Sequence, residues 1–334
     1  MKVLFSVILS LSLLQGISQN IHLSQYHKSE IAYNPANTGD FKGCFRFGSN
    51  YRNQWGGINA YAVHIEESFR DKSFSNYQYG IGAYFYHENA GVNGLKNTYG
   101  LMSAGISKYI DYDKKHYLSI GLQFGFAQRL IDLSSVSFLN QFNNIDEFDT
   151  NINSNENYNS NSSFTERANI GIKHQFKLTN GFRIITGAAI LNLTQPFDQF
   201  NQEKKFRSHM HIVVHNELSM MATDQHQIKT LFLADFANKS SNITFGSMLH
   251  YFPEDENKIK QEVEIGILYR MYDAIILSGG IIKNKHNLSL SYDIISSGLT
   301  AGSGFFGNFE LGYFFTLDCK PKLPDYYQVP CIRL

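Results

Sequence analysis

The chain has 334 residues, with 29 Lys+Arg balancing 29 Asp+Glu and a sequence pI near 7.2. That balance excludes the usual nucleic-acid binder, which needs a basic excess to neutralise phosphates. Only 17% of residues are charged, and 27 Phe, 20 Tyr and 26 Gly with abundant Asn suit strands joined by turns; the 43% apolar share argues against disorder.

In chain order, Met1-Lys2, the apolar run from Val3 to Leu14 and Gly16-Ile17-Ser18 have the layout of a secretory signal peptide, 1–18, with cleavage expected after Ser18. No Cys stands near that point, so no lipid anchor is expected. Residues 19–40 read as a periplasmic N-terminal segment. No later run reaches the eighteen or so apolar residues of a membrane-spanning helix. The best candidate, Ala274 to Ile282, is broken by Ser278, Gly279 and Gly280.

Alternation is the main signal. Leu118, Ile120, Leu122, Phe124 and Phe126 share one face, opposite Ser119, Gly121, Gln123, Gly125 and Ala127. Leu288, Leu290, Tyr292 and Ile294 oppose Ser289, Ser291 and Asp293. Phe309, Leu311, Tyr313 and Phe315 oppose Glu310, Gly312, Phe314 and Thr316. Period two with one continuous apolar face predicts strands of a membrane barrel, whose other face lines a lumen. The predicted strands are 41–51, 61–68, 78–86, 97–110, 117–131, 163–176, 182–191, 210–222, 226–237, 241–251, 262–269, 274–280, 288–294 and 308–316. The fold class is therefore all-β, an antiparallel transmembrane barrel of about 14 strands over 41–316, followed by a periplasmic tail, 317–334. With both termini periplasmic, the links 132–162, 192–209 and 295–307 point outward, and 177–181 and 223–225 point inward and are short, as such barrels require. The links 238–240, 270–273 and 252–261 do not follow that length rule. Asn140 to Ser162 holds nine Asn in 23 residues; it reads as a surface loop, with a fold into the lumen as the alternative.

Five strings in order carry a family resemblance. They are SQYHKSEIAYNPANTG (Ser24 to Gly39), YRNQW (Tyr51 to Trp55), YRMYDAI (Tyr269 to Ile275), SYDIISSGL (Ser291 to Leu299) and GNFELGYFF (Gly307 to Phe315), with a drifted PCIRL ending (Pro330 to Leu334). Together they resemble the PorP/SprF family of type IX secretion system outer-membrane proteins; Asn37, where an aromatic is usual, and the displaced final Pro depart from the pattern. The resemblance implies a fourteen-stranded, non-enzymatic barrel in the outer membrane of a Gram-negative bacterium, working in type IX secretion and gliding motility. It further implies partners: a secreted adhesin or other type IX cargo, and periplasmic ring proteins and a peptidoglycan-binding lipoprotein. The rival reading is an outer-membrane channel for a small-molecule solute, and a third is a soluble secreted sandwich.

Partner contacts are expected on the two segments that bracket the barrel and at the end of the first strand: Tyr26, Asn34, Pro35, Tyr51, Arg52, Trp55, Lys320, Lys322, Tyr326 and Tyr327. Trp55 also suits a membrane-interface aromatic, and Asn34-Pro35-Ala36 predicts a turn. Cys319 and Cys331 flank the tail, where an exported compartment permits a disulfide; spacing alone leaves the pairing open. Cys44, inside the first predicted strand, reads as a small buried side chain. His209, His211 and His215 share strand parity, but the outer two lie about 20 Å apart at strand rise, and no carboxylate stands at ligand spacing, so no metal is expected. Glu254, Asp255 and Glu256 lack the ligand spacing of a calcium loop. No G-x-S-x-G, Walker, H-E-x-x-H or paired-Cys zinc pattern occurs, so neither catalysis nor a cofactor is expected.

Overall fold

A computed structural model describes residues 23–54, 57–70, 77–90, 95–131, 141–143, 147–148, 162–179, 181–197, 207–238, 240–253, 261–296 and 307–319. Fourteen antiparallel strands close into one barrel, each paired with its neighbours in sequence. They are β1 (Phe45–Gln54), β2 (Ile58–Arg70), β3 (Tyr77–Ala90), β4 (Leu95–Tyr109), β5 (His116–Leu130), β6 (Ser162–Thr179) and β7 (Phe182–Leu191). The second half is β8 (His211–Met221), β9 (His226–Ala237), β10 (Ser240–Tyr251), β11 (Gln261–Arg270), β12 (Ala274–Lys283), β13 (His286–Ile295) and β14 (Asn308–Leu317). β1 pairs with β14 from Phe45↔Leu317 to Gln54↔Asn308, which closes the sheet and leaves no edge strand. All fourteen strands fall on the expected segments, with ends moved by a few residues.

The alternation is realised as expected. Outward side chains such as Phe124 (58% exposed) and Ile265 (58%) form an apolar band far larger than a water-facing surface carries. Aromatics sit at both rims of this band, for example Tyr51 against Tyr61 at one end and Tyr313 beside His286 at the other. At the end where the chain enters β1, β12 and β13 are joined by the two-residue turn 284–285, whereas the two longest separations between successive strands, Leu130 to Ser162 and Leu191 to His211, join strand ends at the opposite end. The expectation for Asn140–Ser162 lies outside the described residues apart from a two-residue ladder, Phe142–Asn143 with Glu147–Phe148, and the start of β6.

Two expectations are corrected. The segment before β1 is not a periplasmic extension: residues 23–40 are packed inside the barrel, with Gln25, Ser29, Ile31 and Asn34 fully buried. They bond to β1, β2, β3, β6, β8, β11, β13 and β14, a set of partners that only a segment within the lumen can reach. The disulfide is also different, because Cys319 bonds to Cys44 rather than to Cys331. Cys44 precedes β1 and Cys319 follows β14, so the closing β1–β14 pair sets them side by side, with Cα atoms 4.9 Å apart. Cys331 lies outside the described residues.

Candidate functional site

The structure's distinctive site is the luminal plug, 23–40, and what holds it. At its start the Ser24 backbone N–H donates to Glu310 Oε2 at 2.7 Å, and the Gln25 N–H donates to Oε1 at 3.3 Å. Ser24 Oγ donates to Asp293 Oδ2 at 2.8 Å and accepts from Arg270 Nη2 at 3.0 Å. Asp293 Oδ2 also accepts from Arg270 Nη1 (3.2 Å), Asn308 Nδ2 (3.2 Å) and Arg52 Nη2 (3.5 Å). Asn50 Nδ2 donates to Glu310 at 3.0 Å, and Ser29 Oγ donates to Asn50 Oδ1 at 2.7 Å. Two guanidiniums and two carboxylates thus meet in a buried, hydrogen-bonded group. Such a group resists loss of any one member, since a buried charge left alone is strongly unfavourable.

Every string that carries the family resemblance, the drifted C-terminal ending apart, contributes to this group. Ser24 and Gln25 come from the first string, Arg52 from the second, Arg270 and its 2.9 Å partner Asp273 from the third, Asp293 from the fourth, and Asn308 and Glu310 from the last. Residues up to 286 positions apart along the chain converge because β1, β11, β13 and β14 stand near the seam of the barrel.

The middle of the plug is a tight turn lying on glycine. Asn34 caps Pro35–Asn37, the second of two short 3₁₀ turns in the plug after Glu30–Ala32, by accepting from the Ala36 N–H at 2.9 Å. Its amide nitrogen donates to the Ile172 carbonyl at 3.0 Å and sits 3.0 Å from His215 Nε2. Beneath the turn, Gly80, Gly105, Gly121 and Gly171 are register neighbours on β3, β4, β5 and β6, forming one row across the wall. A Cβ on Gly121 would lie 2.1 Å from the Pro35 oxygen, and one on Gly171 would lie 1.9 Å from Asn34 Oδ1. The row is therefore the seat of the turn. Gly39, at φ +74, lets the chain bend back against Gly80. Lower down, Gly39 N–H donates to Glu66, which Arg46 grips through two nitrogens at 2.9 and 2.7 Å, and Lys173 bridges Asn37 and Asp40.

Tyr26, Asn34, Pro35 and Arg52 are thus corrected as partner-contact residues: all four are buried in the lumen and already engaged there. Tyr51 faces outward at the rim, its hydroxyl donating to Asn59 Oδ1 at 2.9 Å. Trp55, Lys320, Lys322, Tyr326 and Tyr327 lie outside the described residues. The histidines separate as their spacing implies, but a carboxylate is near one of them: His211 pairs with Asp235 at 3.0 Å, while His215 meets the plug. His250, Glu262 and Glu264 do cluster within metal-ligand range. There the plug supplies the positive charge, since the Lys28 ammonium lies 2.6 Å from Glu264. Burial lowers that ammonium's affinity for its proton and Glu264 opposes the shift. Burial likewise holds the neighbouring His27 well below its ordinary range and raises the Glu30 carboxyl.

The sequence does contain a signal for the plug that pattern reading passed over. Inward parity on β1, β11, β13 and β14 carries Arg52, Glu264, Arg270, Asp293 and Glu310, all buried. Buried charges of both signs on a lumen wall need partners across that lumen. Fold and site together define a plugged, fourteen-stranded barrel of the outer-membrane type. Residues 16–313 match the family described as type IX secretion system membrane protein PorP/SprF, and the chain belongs to that family. No curated protein sequence matches the chain. Among solved structures it is similar to a FadL homologue of Pseudomonas aeruginosa, with a TM-score of 0.52 at 9% identity over 86% of this chain and 94% of that one. It is also similar to the CymD monoaromatic hydrocarbon channel (TM-score 0.47, 11% identity, 91% and 96%). BamA of Haemophilus ducreyi lacking POTRA domains 1–3 matches with a TM-score of 0.41 at 10% identity, over 82% and 70%. At these identities the first shows a common barrel fold and nothing about cargo. Family and fold are those of a secretion or transport component in the outer membrane.

Proposed function

We propose that this barrel serves type IX secretion and gliding as a partner-binding platform, engaging the C-terminal domain of a secreted adhesin, periplasmic scaffold proteins of the secretion system, or both. The observation that favours a platform over a solute channel is the plug. Its residues are held by backbone and charged side-chain bonds from most of the barrel wall, so the chain itself blocks the middle of the lumen. With the lumen occupied, partner contacts fall to the rims. These are the tail 317–334 with Lys320, Lys322, Tyr326 and Tyr327 on the periplasmic side, and Tyr51, Trp55 and the long links 132–162 and 192–209 on the outer side. Export through a signal peptide cleaved after Ser18 belongs to the same reading.

The test is a mild-detergent pull-down of the tagged protein from native outer membranes, followed by mass spectrometry. Recovery of type IX ring proteins, or of one dominant secreted adhesin, supports the platform. A partnerless barrel that passes ions in planar bilayers overturns it in favour of the channel.

A further inference from the structure

Below the plug, at the end where the chain enters β1, lies a cavity of about 690 Å³, within the size range of ligand sites. The plug closes its inner end, and lumen-facing side chains of β1 and β3 to β10 form its walls. Most charges around it are balanced. Arg46 is paired with Glu66, Lys173 with Asp40, Arg183 with Glu217, and Lys28 with Glu264. Lys42, Lys177 and Lys229 also line the cavity, and none of them forms an ion pair among the described residues. Against these three stands one lining carboxylate without a cationic partner, Glu30. A concave site with low-dielectric walls and surplus positive charge concentrates anions.

The arrangement of the cations narrows the ligand. Lys42 is on the chain entering β1, Lys177 on β6 and Lys229 on β9. Three strand spacings separate the last two, about 14 Å along the wall. They do not converge on one atom, as the ligands of a single phosphate would. The rings of Tyr109 and Tyr117, inclined by 50° with centroids 4.6 Å apart, add an apolar surface to the lining of the cavity. We infer that this vestibule binds an acidic peptide segment entering from the periplasmic side, with carboxylates spaced along its backbone meeting the separated ammonium groups. The inference rests on the cavity and its charges and is independent of any role in secretion.

The test uses the full-length, disulfide-intact protein in detergent and a fluorescent hexaglutamate peptide, with neutral hexaglutamine and inorganic phosphate as comparators. Hexaglutamate is expected to bind at low salt and hexaglutamine is not. The pair Lys177→Gln with Lys229→Gln should weaken binding at least tenfold, and Lys177→Glu with Lys229→Glu should abolish it. Heat-modifiable gel migration reports folding; should the Glu pair fail to fold, the Gln pair decides alone. Absence of binding by the wild type at low salt, binding unchanged in the Gln pair, or phosphate displacing the peptide at equal concentration each overturns the assignment.

Discussion

Glu310→Ala removes the carboxylate that grips the start of the plug, and its effect can be worked from the contacts. Three donors lose their acceptor: the Ser24 N–H at 2.7 Å, the Asn50 amide at 3.0 Å and the Gln25 N–H at 3.3 Å. A buried donor left without a partner costs about 1–3 kcal/mol. The two short bonds carry most of the effect, and water entering the vacated space offsets part of it, leaving a net loss of about 3–4 kcal/mol. The barrel's own ladder keeps every backbone bond, since the β14 pairings do not involve the side chain. The loss therefore falls on local opening of the plug rather than on global unfolding. At about 1.4 kcal/mol per factor of ten, the open population should rise about 100- to 1000-fold. Hydrogen exchange followed by mass spectrometry on the detergent-solubilised protein reads this directly. Amides of 24–40 should exchange faster by that factor, while amides of β5 keep the wild-type rate. Glu310→Gln, which keeps an acceptor oxygen, should fall between. Plug amides exchanging at the wild-type rate, or β5 accelerating equally, would refute the view that this carboxylate latches an independently opening plug.

Other consequences are testable in the same preparation. Gly121→Ala places a Cβ 2.1 Å from the Pro35 oxygen and should lift the turn at 35–37 at a cost of about 1–3 kcal/mol; exchange at 34–38 should quicken. Gly279→Ala, whose Cβ would have its nearest neighbour at 3.6 Å, should change nothing there. Cys44→Ser should expose Cys319 to maleimide and lower the temperature of heat-modified migration. The bond spans 275 residues, and closing so long a loop is worth up to about 5 kcal/mol in the chain-entropy model. Cys331→Ser should leave the Cys44–Cys319 bond intact, and loss of that bond in Cys331→Ser would contradict the pairing. Phe124→Arg, on the outward face midway along β5, should destabilise the barrel in lipid by about 2–4 kcal/mol. Urea unfolding in vesicles measures it, and an unchanged midpoint would mean that this face does not meet lipid.

Strand number, strand order and the lipid face were legible in the sequence, because alternation is a local property of each strand. Leu118 to Ala127 shows its two faces within ten residues, whatever the strand pairs with. The Asn34-Pro35 turn was legible for the same reason, since the restriction on the residue before Pro acts within a few bonds. What the turn sits on was not legible. Gly80, Gly105, Gly121 and Gly171 look like scattered glycines until the register of four strands aligns them. Cys44 likewise could not be matched to Cys319 without the β1–β14 closure, which makes neighbours of residues 275 positions apart. The buried group of Ser24, Arg52, Arg270, Asp293 and Glu310 is the clearest case. Each member can be read in its own string, but their meeting depends on the barrel closing around the plug. By itself the sequence determined that the chain is a membrane barrel. Only the tertiary structure decided that the barrel is filled by its own N-terminal segment, because that outcome rests on charge pairing and close backbone approach across the lumen, which leave no periodic trace along the chain.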